Sequence, residues 1–100
     1  MTHKTAALLG FAAKAGKLSY GMFAAVTSAK TGKAKLLLCC RDVSEKSRKE
    51  INHFADKFNI KTMTLDESMD NMPAVIGRRC GILSVNDIGF RDSLTQEEKQ

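Results

Sequence analysis

The sequence predicts an α/β protein, a three-layer α/β/α domain, from two observations. Stretches with helical periodicity alternate with short apolar runs in the order α-β-α-β-α-β-α-β-α, which is typical of helices packed on both faces of one sheet. The 100 residues suffice for one domain and are too few for two, and no internal repeat or low-complexity linker divides them. We therefore expect a single domain spanning residues 1–100.

The first two predicted helices enclose one short strand. In the first helix, apolar residues at i, i+3, i+4 and i+7 form a stripe that Gly16 ends. That stripe consists of Leu8, Phe11, Ala12 and Ala15. A short strand is expected within Lys17–Tyr20, before Gly21. The second helix is expected to end at Gly32, and its inner face consists of Met22, Val26 and Ala29.

The central strand is predicted from an apolar run that shows no alternation. Leu36–Cys40 contains only apolar residues, as in a strand covered on both faces. Cys39 and Cys40 should then point to opposite faces of the sheet. Together with Cys80 they make an odd count without CxxC spacing. We therefore expect buried free thiols and a reducing, cytoplasmic location.

The third helix follows a turn at Arg41–Ser44. Either Ser44 or Asp42 is expected to cap that helix, and Asn59 is expected to end it. Its apolar stripe consists of Ile51, Phe54, Ala55 and Phe58. The alternation of polar and apolar residues over Ile60–Leu65 predicts a strand with one wetter face.

A short helix, a buried strand and a last helix complete the predicted fold. Thr64 and Glu67 have the spacing of a capping box, and Pro73 should make the helix that follows short or kinked. Gly81–Val85 predicts the next buried strand, and Asp87 is expected to cap the last helix. The inner faces of these two helices consist of Met69, Met72, Ile76, Phe90 and Leu94.

Positive charge is concentrated in the first half of the chain. The formal net charge is +5; up to Lys49 ten Lys/Arg face two Asp/Glu, whereas from Glu50 onward six face nine. This asymmetry favours one surface that attracts polyanions, with an ordinary solvated charged face as the alternative. The basic residues that stand out are Lys30, Lys33, Lys35, Arg41, Lys46, Arg48, Lys49, Arg78 and Arg79.

No catalytic or metal-binding arrangement is recognised in the sequence. His3 and His53 stand apart from the cysteines, without zinc-ligand spacing. The Gly10–Lys17 segment departs from a phosphate-binding loop, because five residues rather than four separate its glycines and Leu18 follows the lysine. We therefore expect no enzymatic activity, no cofactor and no metal. No apolar run approaches the roughly 20 residues that a membrane span needs, so no membrane partner is expected.

Four segments of the chain are informative when taken together. They are LLGFAAKAGKLSYG (Leu8–Gly21), GKAKLLLCCRDVSEK (Gly32–Lys46), AVIGRR (Ala74–Arg79) and VNDIGF (Val85–Phe90). In this order and spacing they resemble the L7Ae/L30e family of ribosomal proteins, in particular its small bacterial members. The resemblance covers nearly the whole chain up to Phe90. It implies an α/β/α sandwich around a four-stranded mixed sheet, no catalytic activity, and binding to ribosomal or other structured RNA, with the ribosome as a further partner.

The resemblance also implies where RNA is bound. In that family the RNA is usually a kink-turn, a helix that bends sharply at a bulge beside sheared G·A pairs and is recognised mostly by shape and phosphates. The implied contact segments are Ser19–Phe23, Arg41–Ser44 and Gly77–Cys80. The candidate RNA-binding residues are Lys17, Gly21, Phe23, Thr27, Arg41, Arg78 and Arg79.

At one place the chain departs from the family pattern. Strong kink-turn binders follow the glycine with one residue, then Asn-Glu, then a Lys three positions past the Glu. Here Phe23 and Ala24 occupy the Asn-Glu positions and Thr27 the Lys position, and Phe23 and Ala24 do not supply the same hydrogen bonds. Tyr20 and Phe23 could stack on an unpaired base instead, or Phe23 could pack against the edge of the core.

The sequence leaves more than one function open. RNA binding is the leading interpretation. A protein-interaction module on the same fold, which has lost kink-turn recognition, is the alternative, and an exposed apolar patch around Tyr20, Met22 and Phe23 would favour it. An enzyme with an unrecognised site is a third, less favoured interpretation. Neither the particular RNA nor the oligomeric state follows from the sequence.

Overall fold

The computed structural model describes residues 1–98 of the chain. Its elements are α1 (His3–Lys14), β1 (Leu18–Tyr20), α2 (Gly21–Lys30), β2 (Leu36–Cys40), α3 (Glu45–Phe58), β3 (Thr62–Leu65), a 3-10 turn (Met69–Asn71), α4 (Met72–Ile76), β4 (Ile82–Val85) and α5 (Ile88–Glu98). The alternation of helices and strands is the predicted one.

The four strands form one mixed sheet in the order β1-β4-β2-β3. Strand β4 runs antiparallel to both β1 and β2, whereas β2 and β3 are parallel. Every residue of β2 and of β4 is buried, in agreement with the apolar runs that predicted these strands. Strand β3 lies at the edge of the sheet, which explains why Thr64 is exposed while Met63 and Leu65 are buried.

Helices cover both faces of the sheet, so the predicted three-layer α/β/α sandwich is confirmed. One core contains side chains of α1, α4 and α5, and the other contains side chains of α2 and α3. Neighbouring residues of β2 contribute to opposite cores, since Leu38 and Cys40 face the first and Leu37 and Cys39 the second. The predicted burial of Cys39 and Cys40 on opposite faces is therefore confirmed.

Three predicted helix ends are confirmed at the atomic level. Ser44 caps α3, because its hydroxyl accepts a hydrogen bond from the Ser47 N–H at 3.1 Å. Asn59 ends α3 in the left-handed conformation, with a φ of 55°. The Asp87 carboxylate accepts from the Phe90 N–H at 2.9 Å and caps the first turn of α5.

Two local predictions are wrong, and a third is wrong in part. The buried face of α2 consists of Ala25, Ser28 and Ala29, whereas Met22 and Val26, which were predicted to face inward with Ala29, are half-buried. The buried face of α1 consists of Thr5, Leu9 and Ala12, while Phe11 is 61% exposed. Nearly every position in the middle of α1 is apolar, so spacing alone did not determine which stripe packs. The capping box is also absent, because Thr64 belongs to β3, and the Glu67 carboxylate instead accepts hydrogen bonds from the Ser68 N–H and the Asn71 side chain.

Pro73 has the predicted effect on the fourth helix. It lies in the first turn of α4, where its missing N–H leaves no bond unmade, and α4 is only five residues long. Met72 and Ile76 are buried on its inner face, as predicted. Within residues 1–98, none of the helices combines the length and the apolar character that crossing a bilayer requires.

Candidate functional site

The topology of the sheet brings three turns to one of its edges. Tyr20, at the end of β1, pairs with Leu83 near the start of β4. Cys39, near the end of β2, pairs with Ile82 at the start of β4. Because β4 runs antiparallel to both neighbours, the segment after β1, the segment after β2 and the segment before β4 share one edge of the sheet. We call it the three-turn edge; its segments are Ser19–Phe23, Arg41–Ser44 and Gly77–Cys80.

A largely apolar cleft of about 390 Å³ opens between these turns. It is lined by Gly21, Met22, Val43, Ser44, Ser47, Met69, Cys80, Gly81 and Ile82. The absence of a side chain at Gly81 is essential to its shape, since a Cβ there would lie 2.5 Å from the Met69 sulfur and 2.6 Å from Val43 Cγ1. The cleft therefore has a close-packed floor and an open mouth beside the basic turns.

The start of α2 lies in this cleft. Gly21 has a φ of +89°, a conformation that side-chain-bearing residues rarely adopt. Tyr20 precedes it as the N-cap and makes no side-chain capping bond. Apart from the Gly21 N–H, which faces the Cys80 sulfur, the first N–H groups of α2 receive no side-chain cap from Tyr20, and the positive end of the helix dipole faces the cleft. By contrast, Ser44 caps the neighbouring start of α3.

Arginines lie on two of the turns beside the cleft, and two of them pair with carboxylates. Arg41 contacts Asp66 at 3.1 Å and Arg79 contacts Asp70 at 2.8 Å, all with well-exposed side chains. The hydrogen bond that Arg79 donates to the Asp70 carboxylate raises the pKa of Arg79 above its usual value. Exposed pairs of this kind add little to stability because water and salt screen them. Both guanidinium groups can therefore exchange a carboxylate for a phosphate at small cost.

Arg78 stands apart from these ion pairs. Its guanidinium carbon lies 4.1 Å from the centre of the Tyr20 ring, a stacked cation–π contact. Tyr20 is half-buried and adjoins the first core, so the ring is fixed from below and covered from above by Arg78. This pairing escaped the sequence analysis, since the two residues are far apart in sequence and only the β1–β4 register joins them.

Cys80 is the thiol that reaches the cleft. Partial burial raises its pKa, and the backbone N–H groups of Gly21 and Ile82 together with Arg78 oppose that rise. The buried neighbouring thiol of Cys40 has its pKa raised to about 12 by burial and by Cys80. Both groups are therefore neutral thiols near pH 7, and the cleft carries no thiolate that would repel phosphate.

The segments of the three-turn edge contain five of the seven residues predicted to contact RNA, namely Gly21, Phe23, Arg41, Arg78 and Arg79. The side chain of Phe23, however, lines a groove beside the edge. Lys17 is not at the three-turn edge, because it precedes β1 and lies at the opposite edge of the sheet.

Phe23 and Thr27 lie on the outer side of α2. Phe23 is 87% exposed, so it does not pack against the edge of the core. Together with Met22, Val26 and Phe54 of α3 it lines a shallow groove of about 380 Å³. Lys30 borders this groove with its ammonium group 5.8 Å from the Phe54 ring centre. The exposed apolar surface is thus a groove between α2 and α3, beside the three-turn edge.

Arg48 has a different role from the one its basic neighbourhood indicated. Its guanidinium donates to Thr64 Oγ1 at 3.0 Å and to the carbonyl oxygens of Cys40 and Arg41 at 3.3 Å. It also contacts the Cys39 sulfur at 3.3 Å. Arg48 therefore connects α3 to the ends of β2 and β3, and its charge is engaged within the fold. The signal for this role, a set of carbonyl oxygens left at the end of a strand, exists only in three dimensions.

Metal ligands do not converge at the three-turn edge or elsewhere in the part of the chain that the structure describes. Among residues 1–98, no three side chains of His, Cys, Asp or Glu are placed to share a metal ion. The groups that the edge presents support hydrogen bonding, charge pairing and stacking.

Comparison with known proteins places this geometry in context. The model of the ribosomal protein L7Ae/L30e/S12e/Gadd45 family matches residues 3–94. A protein with unknown function from Bacillus halodurans C superposes with a TM-score of 0.91 at 22% identity, over 99% of this chain and 100% of that one. The Giardia lamblia 15.5kD RNA binding protein superposes with a TM-score of 0.78 at 11% identity, over 93% of this chain and 80% of that one. These two similarities establish a shared fold. No curated protein matches the chain in sequence.

Proposed function

The chain belongs to the ribosomal protein L7Ae/L30e/S12e/Gadd45 family, and on that premise we propose that it is a non-enzymatic protein that binds structured RNA at the three-turn edge. The observation that carries the proposal is the meeting of three sequence-distant turns around one cleft. Their arginines offer guanidinium groups to phosphates, and the uncapped start of α2 offers N–H donors. The structural relative from Giardia lamblia, described as RNA binding, supports the same function.

The proposed contacts divide by chemistry. Arg41 and Arg79 exchange their exposed carboxylate partners for RNA phosphates, while the start of α2 at Gly21 binds a further phosphate. Arg78 and Tyr20 form a preorganised surface on which an unpaired base stacks. Phe23 and Thr27 contact the flank of the RNA next to the edge. We propose that the protein acts in the cytoplasm. Its proposed partner there is ribosomal or other structured RNA.

The finer proposal is that the RNA is a kink-turn. It rests on family membership and on the retained Gly21 with its positive φ, although Phe23 and Ala24 stand where Asn-Glu reads the sheared pairs in strong binders. Recognition here would therefore depend on shape and phosphates more than on hydrogen bonds to the bases.

A titration of the purified protein against a labelled kink-turn RNA tests both levels of the proposal. An equal-length plain duplex is the control, and both are measured over a series of salt concentrations. Preference for the kink-turn supports the finer proposal. Equal, salt-dependent binding to both leaves RNA binding standing and removes kink-turn specificity. No binding to either RNA at low salt removes RNA binding as the function.

The exposed groove favours a second candidate function, docking of a protein partner. Phe23 is 87% exposed and lies with Met22, Val26 and Phe54 along one groove between α2 and α3. A large apolar side chain in water is a common feature of interaction surfaces. If the folded protein binds none of the RNAs tested, docking of a protein partner becomes the favoured function.

A further inference from the structure

A second group of cations lies at the edge of the sheet opposite the three-turn edge. Lys17 precedes β1 and Lys35 precedes β2, and the first residues of these strands, Leu18 and Leu36, both pair with Val85. Backbone bonds fix the positions, since the Asn86 N–H donates to the Lys17 carbonyl and the Lys35 N–H donates to the Val85 carbonyl, each at 2.8 Å. These backbone hydrogen bonds thus place one lysine on each side of the end of β4.

Lys33 joins this pair from the turn after α2. Its N–H donates to the Ser28 carbonyl at 2.9 Å, which anchors the turn against the helix end. All three lysines line one cavity of about 480 Å³, together with Gly16, Leu18, Ser19, Ser28, Gly32 and Asn86. No carboxylate is among these lining residues.

The floor of the cavity is a network of neutral hydrogen-bonding groups. Ser19 and Ser28 share a hydrogen bond of 2.7 Å between their hydroxyls, and the Asn86 amide donates to Ser19 at 2.8 Å. The Ser84 hydroxyl, fully buried, donates to the Asn86 amide oxygen at 2.8 Å and fixes the orientation of that amide. One amide hydrogen of Asn86 and one of the two serine hydroxyl hydrogens remain without a partner among residues 1–98.

The charges around the cavity are uncompensated within the described part of the chain. The Lys35 ammonium donates to the Gly32 carbonyl at 3.0 Å, and none of the three lysines forms an ion pair with a carboxylate of residues 1–98. Three lysines that line one cavity without a carboxylate among its lining residues create a positive potential there. A bound anion would neutralise that potential and would also satisfy the two free donors.

We propose that this cavity binds a phosphate group. Three ammonium groups and two neutral donors match a tetrahedral anion with several acceptor oxygens. The phosphate could belong to an RNA strand or be free in solution, and the chemistry of recognition is the same for both. Lys17 therefore contacts its anion at this edge, separately from the arginines of the three-turn edge. The site goes beyond the proposed RNA contact and stands or falls independently of it.

The test is a titration followed by NMR of the 15N-labelled protein. Inorganic phosphate is added first, and a short single-stranded RNA is added in a second experiment. We expect the amide signals of Ser19, Lys33 and Lys35 and the Asn86 side-chain signal to shift with saturation. Shifts with phosphate alone indicate a free-phosphate site, and shifts with RNA, with or without phosphate, indicate a backbone contact. If these signals shift with neither, the proposal is wrong.

Two matched triple variants distinguish a specific phosphate-binding site from a general effect of positive charge. One carries Lys17→Gln, Lys33→Gln and Lys35→Gln. The other carries Lys14→Gln, Lys49→Gln and Lys57→Gln, three exposed lysines outside the cavity. Each lowers the formal net charge from +5 to +2.

We expect the first variant to bind at least about tenfold more weakly at this edge and the second to bind within about twofold of the parent protein. Equal losses in the two variants would overturn the proposal, because they would show that only net charge matters. Lys35 is half-buried, so the double variant Lys17→Gln with Lys33→Gln replaces the first triple variant if that protein fails to fold.

Discussion

Packing within residues 1–98 does not explain why a phenylalanine stands at position 23 on α2. Its side chain is 87% exposed, and the core beneath α2 is filled by Ala25 and Ala29 instead. The position is one that in strong kink-turn binders carries an amide able to read base edges, whereas a phenyl ring contributes only stacking and apolar contact. On the proposed function, we therefore expect Phe23 and its neighbour Ala24 to determine which RNA this chain prefers, and the arginines to determine how strongly phosphates are held.

Restoring the family's polar residues is expected to restore kink-turn preference. The triple variant Phe23→Asn, Ala24→Glu and Thr27→Lys should prefer a kink-turn over a plain duplex by at least about tenfold more than the parent protein does, since each base contact adds about 1 kcal/mol or more of discrimination. Competition binding with the two RNAs measures this ratio. Thr27→Lys alone is the control, because it adds charge without adding base-reading groups. If the single and triple variants gain equally, electrostatics accounts for the effect.

We expect the Tyr20 ring to be a second single-residue determinant of RNA affinity at the three-turn edge. Replacing Tyr20 with Leu keeps an apolar side chain over the core but removes the ring that holds the Arg78 guanidinium in place, and the outer face of that guanidinium is where a base is proposed to stack. Loss of one stacked base costs about 1–3 kcal/mol, so we expect RNA affinity to fall at least about fivefold. Tyr20→Phe keeps the ring and should bind within about twofold of the parent protein. Fluorescence titration compares the three proteins, and equal affinity of all three would show that no base stacks there.

At the scale of secondary-structure elements, most of the architecture could be predicted because periodicity and caps are local. The strand at Leu36–Cys40, the cap at Ser44 and the stop at Asn59 all lie where the sequence placed them. The phase of α1 could not be predicted, since apolar residues on several sides leave the choice to tertiary packing. The role of Arg48 could not be predicted for the same reason. Its acceptors lie on β2, in the turn after β2 and on β3, and only the folded sheet brings them together.

The contacts of Arg48 predict a larger contribution to the free energy of unfolding than an exposed cation would make. Its four contacts tie the first turn of α3 to β2 and β3. Arg48→Ala leaves carbonyl oxygens of Cys40 and Arg41 without these donors, so we expect the free energy of unfolding to fall by about 1–3 kcal/mol. Lys49→Ala, at an exposed neighbouring position, should change it by less than about 0.5 kcal/mol. Urea denaturation measures both. Similar free energies of unfolding for the two variants would show that the contacts of Arg48 do not stabilise the fold.

Across the whole molecule, the sheet separates residues that lie close together in the sequence. Lys17 and Gly21 are four positions apart, but β1 lies between them and directs them to opposite edges. Conversely, Gly21 and Arg78 are far apart in sequence, and the antiparallel pairing of β1 with β4 brings their segments together. Strand order is decided by packing over the entire chain, so neither grouping could be predicted from local pattern alone, whereas the family resemblance did indicate the three turns.

This separation predicts that the position of charge, more than its total, sets the salt dependence of RNA binding. The variant Arg78→Ala with Arg79→Ala should bind RNA more weakly and should lower the slope of log affinity against log salt by about one to two units, because each lost phosphate contact removes about 0.7–0.9. Arg79 is paired with Asp70 in the free protein. If that ion pair persists in the complex, Arg79 contributes less to the reduction in slope than Arg78 does. Filter-binding or anisotropy measurements from low to moderate salt give the slope.

The variant Lys14→Ala with Lys57→Ala is the matched control for this measurement. It lowers the formal net charge from +5 to +3, as the arginine variant does, and both lysines are exposed and away from the three-turn edge. Since screening confines the influence of a surface charge to roughly 10 Å, distant lysines should leave the slope within about 0.5 units of the parent value. Equal reductions in slope would mean that RNA senses the overall positive field. A reduction confined to the arginine variant would assign the phosphates to the turn before β4.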